Sequence, residues 1–163
     1  MGLSLSGTMK KAAPSLGRAA TRSEVLPRET SAVAPGCQRS ELEALQQIDS
    51  EVRTLGARIV VITPELERYT RALYKKLHLS FDILTDLHLK VAEQFLLVFT
   101  LPDYLRDLYK SFGSTLDRFN DEPEYRLPMP ARYIIDKAGT IRAPNVNADY
   151  TILPSPSEAL RQR

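Results

Sequence analysis

Residues Ala57 to Thr63 read A-R-I-V-V-I-T. Ile59 to Ile62 are four β-branched residues in a row, with no polar side chain between them. A sheet with one wet face would alternate polar and apolar side chains. An unbroken run suits a parallel strand buried on both faces, which requires helices above and below the sheet. The flanks supply them. Upstream, Leu42, Leu45, Ile48, Val52 and Leu55 recur at helical spacing, and Gly56 stands where a helix would stop. Ser40 and Glu43 have the S-x-x-E spacing of a capping box at its start.

Downstream, Pro64 is placed to open a second helix, with Leu66, Tyr69, Leu73 and Leu77 as its inner stripe. Phe81 to Leu84 reads as another short strand, closed by Thr85 and Asp86. A helix over about 88–95 would bury Leu89, Ala92, Phe95 and Leu96. One more opens at Pro102–Asp103, with Tyr104, Leu105, Leu108, Tyr109 and Phe112 inward and Gly113 at its end. A polar loop from Asn120 to Tyr125 precedes a hairpin: strand Ala131 to Asp136, turn Lys137–Ala138–Gly139, strand Thr140 to Ala143. Helices alternating with strands and ending in a hairpin predict an α/β sandwich with a mixed central sheet and no internal repeat.

Residues 1–36 read differently. They hold six Ala, five Ser, four Gly and three Pro, with five basic residues against two acidic ones, and no sustained periodicity. Val25–Leu26 and Ala32–Val33–Ala34 have the composition of strand fragments, but a proline closes each. Such a stretch offers little apolar surface to offset the entropy of ordering it. A transit peptide and the loose myristoylation pattern of Met1-Gly2-Leu3-Ser4-Leu5-Ser6 are the alternatives to a disordered or non-native leader, which is the favoured reading. The expected division is a leader over 1–36 and a folded domain over 37–163.

The ordered set S-E-L-E-A-L-Q, L-G-A-R-I-V-V-I-T-P, L-T-D, L-V-F-T-L-P-D-Y-L-R-D-L-Y, L-P-M-P-A-R-Y-I-I-D-K-A-G-T-I-R and D-Y-T resembles the peroxiredoxin-like branch of the alkyl hydroperoxide reductase/thiol-specific antioxidant family. The likeness runs over about residues 40–160. It implies a thioredoxin-like three-layer α/β sandwich and thiol-dependent reduction of hydroperoxides. It implies a peroxide substrate, a thioredoxin-like or small-thiol reductant, no cofactor, and allows a homodimer. In the family, the cysteine sits at the end of the central strand, just before the first helix. There a helix N-terminus and nearby cations lower the thiol pKa toward working pH.

The single cysteine, Cys37, lies in this region. Aligned on it, Ala34-Pro35-Gly36-Cys37 stands in for the family's Cys-Pro-Tyr-Cys, so the first, peroxidatic cysteine becomes Ala34. Aligned on the helix, Cys37 falls one residue out of register, with Gln38 opposite the second cysteine. Cys37 is therefore either a remnant redox thiol or an ordinary free cysteine. Upstream of it the sequence shows no apolar central strand, so the N-terminal strand is expected to be missing. Residues 1–36 would then be a replaced or frame-shifted leader on a truncated redoxin domain.

By the same resemblance, Pro130 falls where thioredoxin-like proteins place a cis proline facing the cysteine loop. A trans proline leading into a strand is the alternative. Arg132 follows on a core-adjacent strand and could assist a thiolate or peroxide, though an edge salt bridge is the plainer expectation. The functional readings are thus a peroxiredoxin-like enzyme with little or no activity, a one-cysteine peroxidase, or a non-catalytic redoxin-like interaction protein.

The averages narrow the field further. One cysteine excludes an internal disulfide framework. The net charge of +2 is too small to argue for nucleic acid or a membrane surface. Phe95 to Leu101 is far short of the roughly 20 residues that span a bilayer. His78 and His88 lack ligand spacing, so no metal site is expected. The expected location is cytoplasmic.

Overall fold

The computed structural model describes residues 30–33, 39–111, 116–149 and 152–161, with the backbone alone for 30–33 and for residue 109 of its helix. The strands are β1 (Thr30–Val33), β2 (Arg58–Thr63), β3 (Asp82–Thr85), β4 (Val98–Thr100), β5 (Arg126–Pro128), β6 (Ala131–Ile135) and β7 (Ile141–Val146). The helices are α1 (Arg39–Thr54), α2 (Glu67–Leu77), α3 (Lys90–Gln94), α4 (Asp103–Ser111), α5 (Leu116–Asn120) and α6 (Pro156–Arg161). Five strands form one sheet in the order β3-β2-β1-β6-β7, and β4 pairs with β5 apart from it.

The sheet is mixed. β1 runs parallel to β2 and antiparallel to β6, with Val33 opposite both Val61 and Arg132. This corrects the expectation that the central strand is missing. Thr30 to Val33 supplies it from within the segment read as a leader. Only four residues long and with one strongly β-forming aliphatic, it shows no period that a sequence window can detect. Its backbone groups are taken up by neighbours on both sides.

Two apolar clusters sandwich the sheet. On one face Leu42, Leu45 and Val52 of α1 pack on Ile59 and Val61, joined by Leu79, Phe81, and Leu160 of α6. On the other face Leu89, Ala92 and Leu97 pack on Ala131, Tyr133 and Ile135. Helices therefore cover both faces of the sheet, as the unbroken apolar run of β2 leads one to expect.

Local details differ from the sequence reading. α1 starts at Arg39, and Glu43 accepts from Arg39 Nε at 2.7 Å rather than closing a capping box on Ser40. Gly56 ends the helix region at φ +74, a conformation costly for any side chain with a Cβ. α2 begins at Glu67, three residues after Pro64. The helix expected over 88–95 is a 3-10 turn, Leu87–Leu89, followed by α3. His88 and Leu89 sit at positive φ between the two. On α4, Tyr104 and Leu108 are exposed rather than inward. Phe112 and Gly113 lie outside the described residues, as do Tyr150 and Thr151.

Candidate functional site

Because β1 and β2 are parallel, their C-terminal ends share one edge of the sheet, and the antiparallel β6 begins there. Val33, Thr63, Pro64, Pro130 and Ala131 therefore meet at that edge. The segment linking β1 to α1 starts from the same edge and contains Cys37 in sequence. Cys37 itself lies outside the described residues.

Beneath this edge, on the face away from α1, is a cavity of about 30 Å³, room for one or two water molecules. Apolar side chains line most of it, including Ile62, Phe95, Leu97 and Tyr133, and its polar groups come from Thr63 and Asp86. Asp86 is buried, but it is not a free base. Its two carboxylate oxygens accept from the N–H groups of Val91 and Ala92, each at 2.9 Å, and so satisfy donors at the start of α3. Its own N–H donates to the Thr63 carbonyl at 2.8 Å, tying the ends of β2 and β3 together. Tyr133 packs on Phe95 with ring centres 5.0 Å apart, and burial pushes its phenol up to about 12. At neutral pH it is an uncharged wall. Glu65, half-buried just beyond Pro64, has its carboxyl raised above the usual range by burial.

The other two sequence candidates fall on either side of this edge. Pro130 is half-buried between β5 and β6, and its carbonyl accepts from the Asn147 N–H at 3.2 Å. No cis peptide bond occurs among the described residues, so Pro130 is trans. The alternation of β6 turns Arg132 away from the cavity, toward α1. There it is buried, pairs with Glu41 of α1, and donates to the carbonyl of Pro154 ahead of α6. Its Nε finds no partner. β6 lies inside the sheet rather than at its edge, so the guanidinium is buried, while Glu41 keeps 31% of its side chain in water. The guanidinium ties β6, α1 and the C-terminal segment together. Sequence reasoning missed Thr63 and Asp86 as cavity groups. The only signal for them was a Thr and an Asp at the ends of two adjacent strands.

The sequence model of the AhpC/TSA family matches residues 27–144. This chain belongs to the AhpC/TSA family. The matched span includes β1, in keeping with its central place in the sheet. Solved structures with the same fold include peroxidoxin BcpB from Mycobacterium tuberculosis, at TM-score 0.62 and 13% identity over 82% of this chain and 77% of that one. Reduced Prx3 from Vibrio vulnificus, in complex with H2O2, superposes at TM-score 0.60 and 12% identity over 82% and 76%. AhpC from Enterococcus faecalis does so at TM-score 0.60 and 14% identity over 84% and 73%. At such identities the likeness is one of fold, and the chain has the thioredoxin-like sandwich of these peroxiredoxins. A search among curated proteins finds no match to this chain.

Proposed function

We propose that this AhpC/TSA member retains at most slow thiol-dependent hydroperoxide reduction, carried by Cys37, because neither alignment of its sequence with the family pattern puts a thiol at the first cysteine. The observation that carries the reading is the cysteine count. Cys37 is the single thiol in 163 residues, and it stands in sequence between the central strand and α1. In the proposed cycle the Cys37 thiolate attacks the peroxide, an S–O bond forms as the O–O bond breaks, and the departing alkoxide takes a proton from water. The resulting sulfenic acid has no second cysteine in the chain to resolve it. An external thiol, thioredoxin-like or small, therefore condenses with it, releasing water and leaving a mixed disulfide. A second thiol then frees Cys37. Arg132 is occupied by Glu41 and Pro154, which leaves its proposed support of a thiolate to the unpaired Nε alone. Action in the cytoplasm and as a homodimer belongs to the same proposal.

A second reading, a non-catalytic redoxin-like interaction protein, is favoured by the apolar side chains that α4 leaves in water. Tyr104 is 72% exposed and Leu108 46%. A peroxidase assay with hydrogen peroxide and an organic hydroperoxide, using Cys37→Ser as control, separates the two. Turnover abolished by the substitution supports the enzyme. Turnover no greater than that of the variant sinks it and leaves the interaction protein.

A further inference from the structure

β3 ends the five-stranded sheet and pairs with β2 on one side only. The Asp86 N–H donates to the Thr63 carbonyl of β2 at 2.8 Å. Backbone groups alternate along a strand, so Leu84 and Asp82 also turn theirs to β2, and Ile83 and Thr85 turn theirs outward. Those outward N–H and C=O groups have no partner among the described residues. β3 carries no proline, no basic side chain and no bulge, the devices that usually blunt an open edge. Beside it the apolar side chains of Leu84 and Leu87 stand 39% and 47% exposed. The other end of the sheet is built differently. β7 holds Pro144 opposite Tyr133, next to the exposed Arg142, and its register with β6 shifts at Ile134/Ile135. A proline is tolerated there because its missing N–H falls on the outer side, so the β7 edge lacks a central donor.

We propose that β3 pairs antiparallel with β3 of a second copy of this chain, about a two-fold axis at Leu84, joining the two sheets edge to edge. In that register Ile83 faces Thr85 of the copy, and Thr85 faces its Ile83. Both are hydrogen-bonded pairs, so each exchanges both of its N–H···O bonds. Leu84 meets its symmetry mate in the non-hydrogen-bonded position, where opposed side chains lie closest. Asp82 falls opposite Asp86 of the copy, whose carboxylate is buried against the N–H groups of α3, so no exposed charge meets its like. A second copy offers two strand edges, and the proline and irregular register of β7 leave β3 as the one that fits. The β3–β3 contact is also isologous and closes as a dimer, whereas β3 on β7 would run on head to tail. One short strand makes a small interface, so the dimer is a weak one. It gives the homodimer proposed above its interface and owes nothing to Cys37 chemistry, so dimerisation and peroxide turnover stand or fall separately.

Sedimentation equilibrium of the full-length protein, with dithiothreitol to keep Cys37 reduced, is run from about 10 μM to about 1 mM, the range of weak association. The expected result is a monomer–dimer equilibrium. Leu84→Lys puts two like charges at the axis, and Thr85→Pro removes an outward N–H from each copy while keeping the bonds to β2. Each raises the dissociation constant about tenfold or more, with the far-ultraviolet circular dichroism unchanged. Register is read by oxidative cross-linking in a Cys37→Ser background. Leu84→Cys brings together two thiols whose Cα atoms lie about 4.5 Å apart, within disulfide reach, whereas those of Asp82→Cys lie about 13 Å apart. Leu84→Cys therefore cross-links faster. A protein that is monomeric throughout overturns the proposal and leaves the edge to a strand of another protein. A dimer that Leu84→Lys leaves intact, or equal cross-linking at the two positions, overturns it as well.

Discussion

The Arg132–Glu41 pair makes an asymmetric prediction. The Arg132 side chain is 4% exposed and that of Glu41 31%. Removing Glu41 therefore strands a charge that water cannot reach, whereas removing Arg132 leaves a carboxylate that can turn to solvent. Stranding a buried charge costs about 3–5 kcal/mol. Glu41→Ala is expected in that range. Arg132→Met keeps an apolar stem in the core and loses the donors to Glu41 and Pro154, a loss of about 1–2 kcal/mol. In the double variant no charge is left to strand, so it should lie near Arg132→Met alone, with a coupling about as large as the Glu41→Ala loss itself, about 3–5 kcal/mol. Urea unfolding followed by far-ultraviolet circular dichroism, with the denaturant slope unchanged, gives all three values. If Glu41→Ala proves no more destabilising than Arg132→Met, the buried-charge argument is refuted, and the pair contributes only as a surface contact would.

Two further perturbations test features of the same fold. Leu96 is held at φ +57 with 88% of its surface in water, so Leu96→Gly relieves about 1–2 kcal/mol of left-handed strain. The freer unfolded chain takes back about 0.5–1 kcal/mol, for a net gain of about 0.5–1 kcal/mol read as a higher urea midpoint. A lower midpoint would show that this residue is not strained. Burial raises the folded pKa of Glu65, so its contribution to stability is present below the unfolded value and lost as pH rises through the folded one. Glu65→Gln should therefore be more stable than the parent at pH 7, with the gain shrinking to nothing as pH falls below the ordinary glutamate value near 4.5. An equal gain at both ends of that range would mean that ionisation is not the cause. The expected loss of peroxide turnover in Cys37→Ser completes the set.

The parts of the fold legible in the sequence are those whose burial leaves a period or an unbroken run. β2, α1 and the β6–β7 hairpin are of this kind, and Leu42, Leu45, Val52, Ile59, Val61, Ala131, Tyr133 and Ile135 from them are found in the two clusters. The capping box, the start of α2 and the inward face of α4 are not legible in the sequence, because capping and burial depend on which side chain a neighbour offers. Arg39 took Glu43 away from Ser40, and the described residues leave Tyr104 72% exposed. The candidate site was legible only through its family pattern. Pro130 and Arg132 were found by position, but the isomer of one and the direction of the other depend on the neighbouring strands.

Sequence by itself determined the class of fold, since four β-branched residues in a row have no stable place except between two layers of helix. It also determined the chemical limit, because one cysteine cannot act and then resolve its own sulfenic acid. Tertiary structure alone decided that Thr30 to Val33 is the centre of the sheet. Four residues carry too little apolar surface to announce a strand. What holds them is hydrogen bonding on both sides, to β2 and β6, whose residues lie roughly 30 and 100 positions further along the chain. The same long-range pairing turned Arg132 toward Glu41.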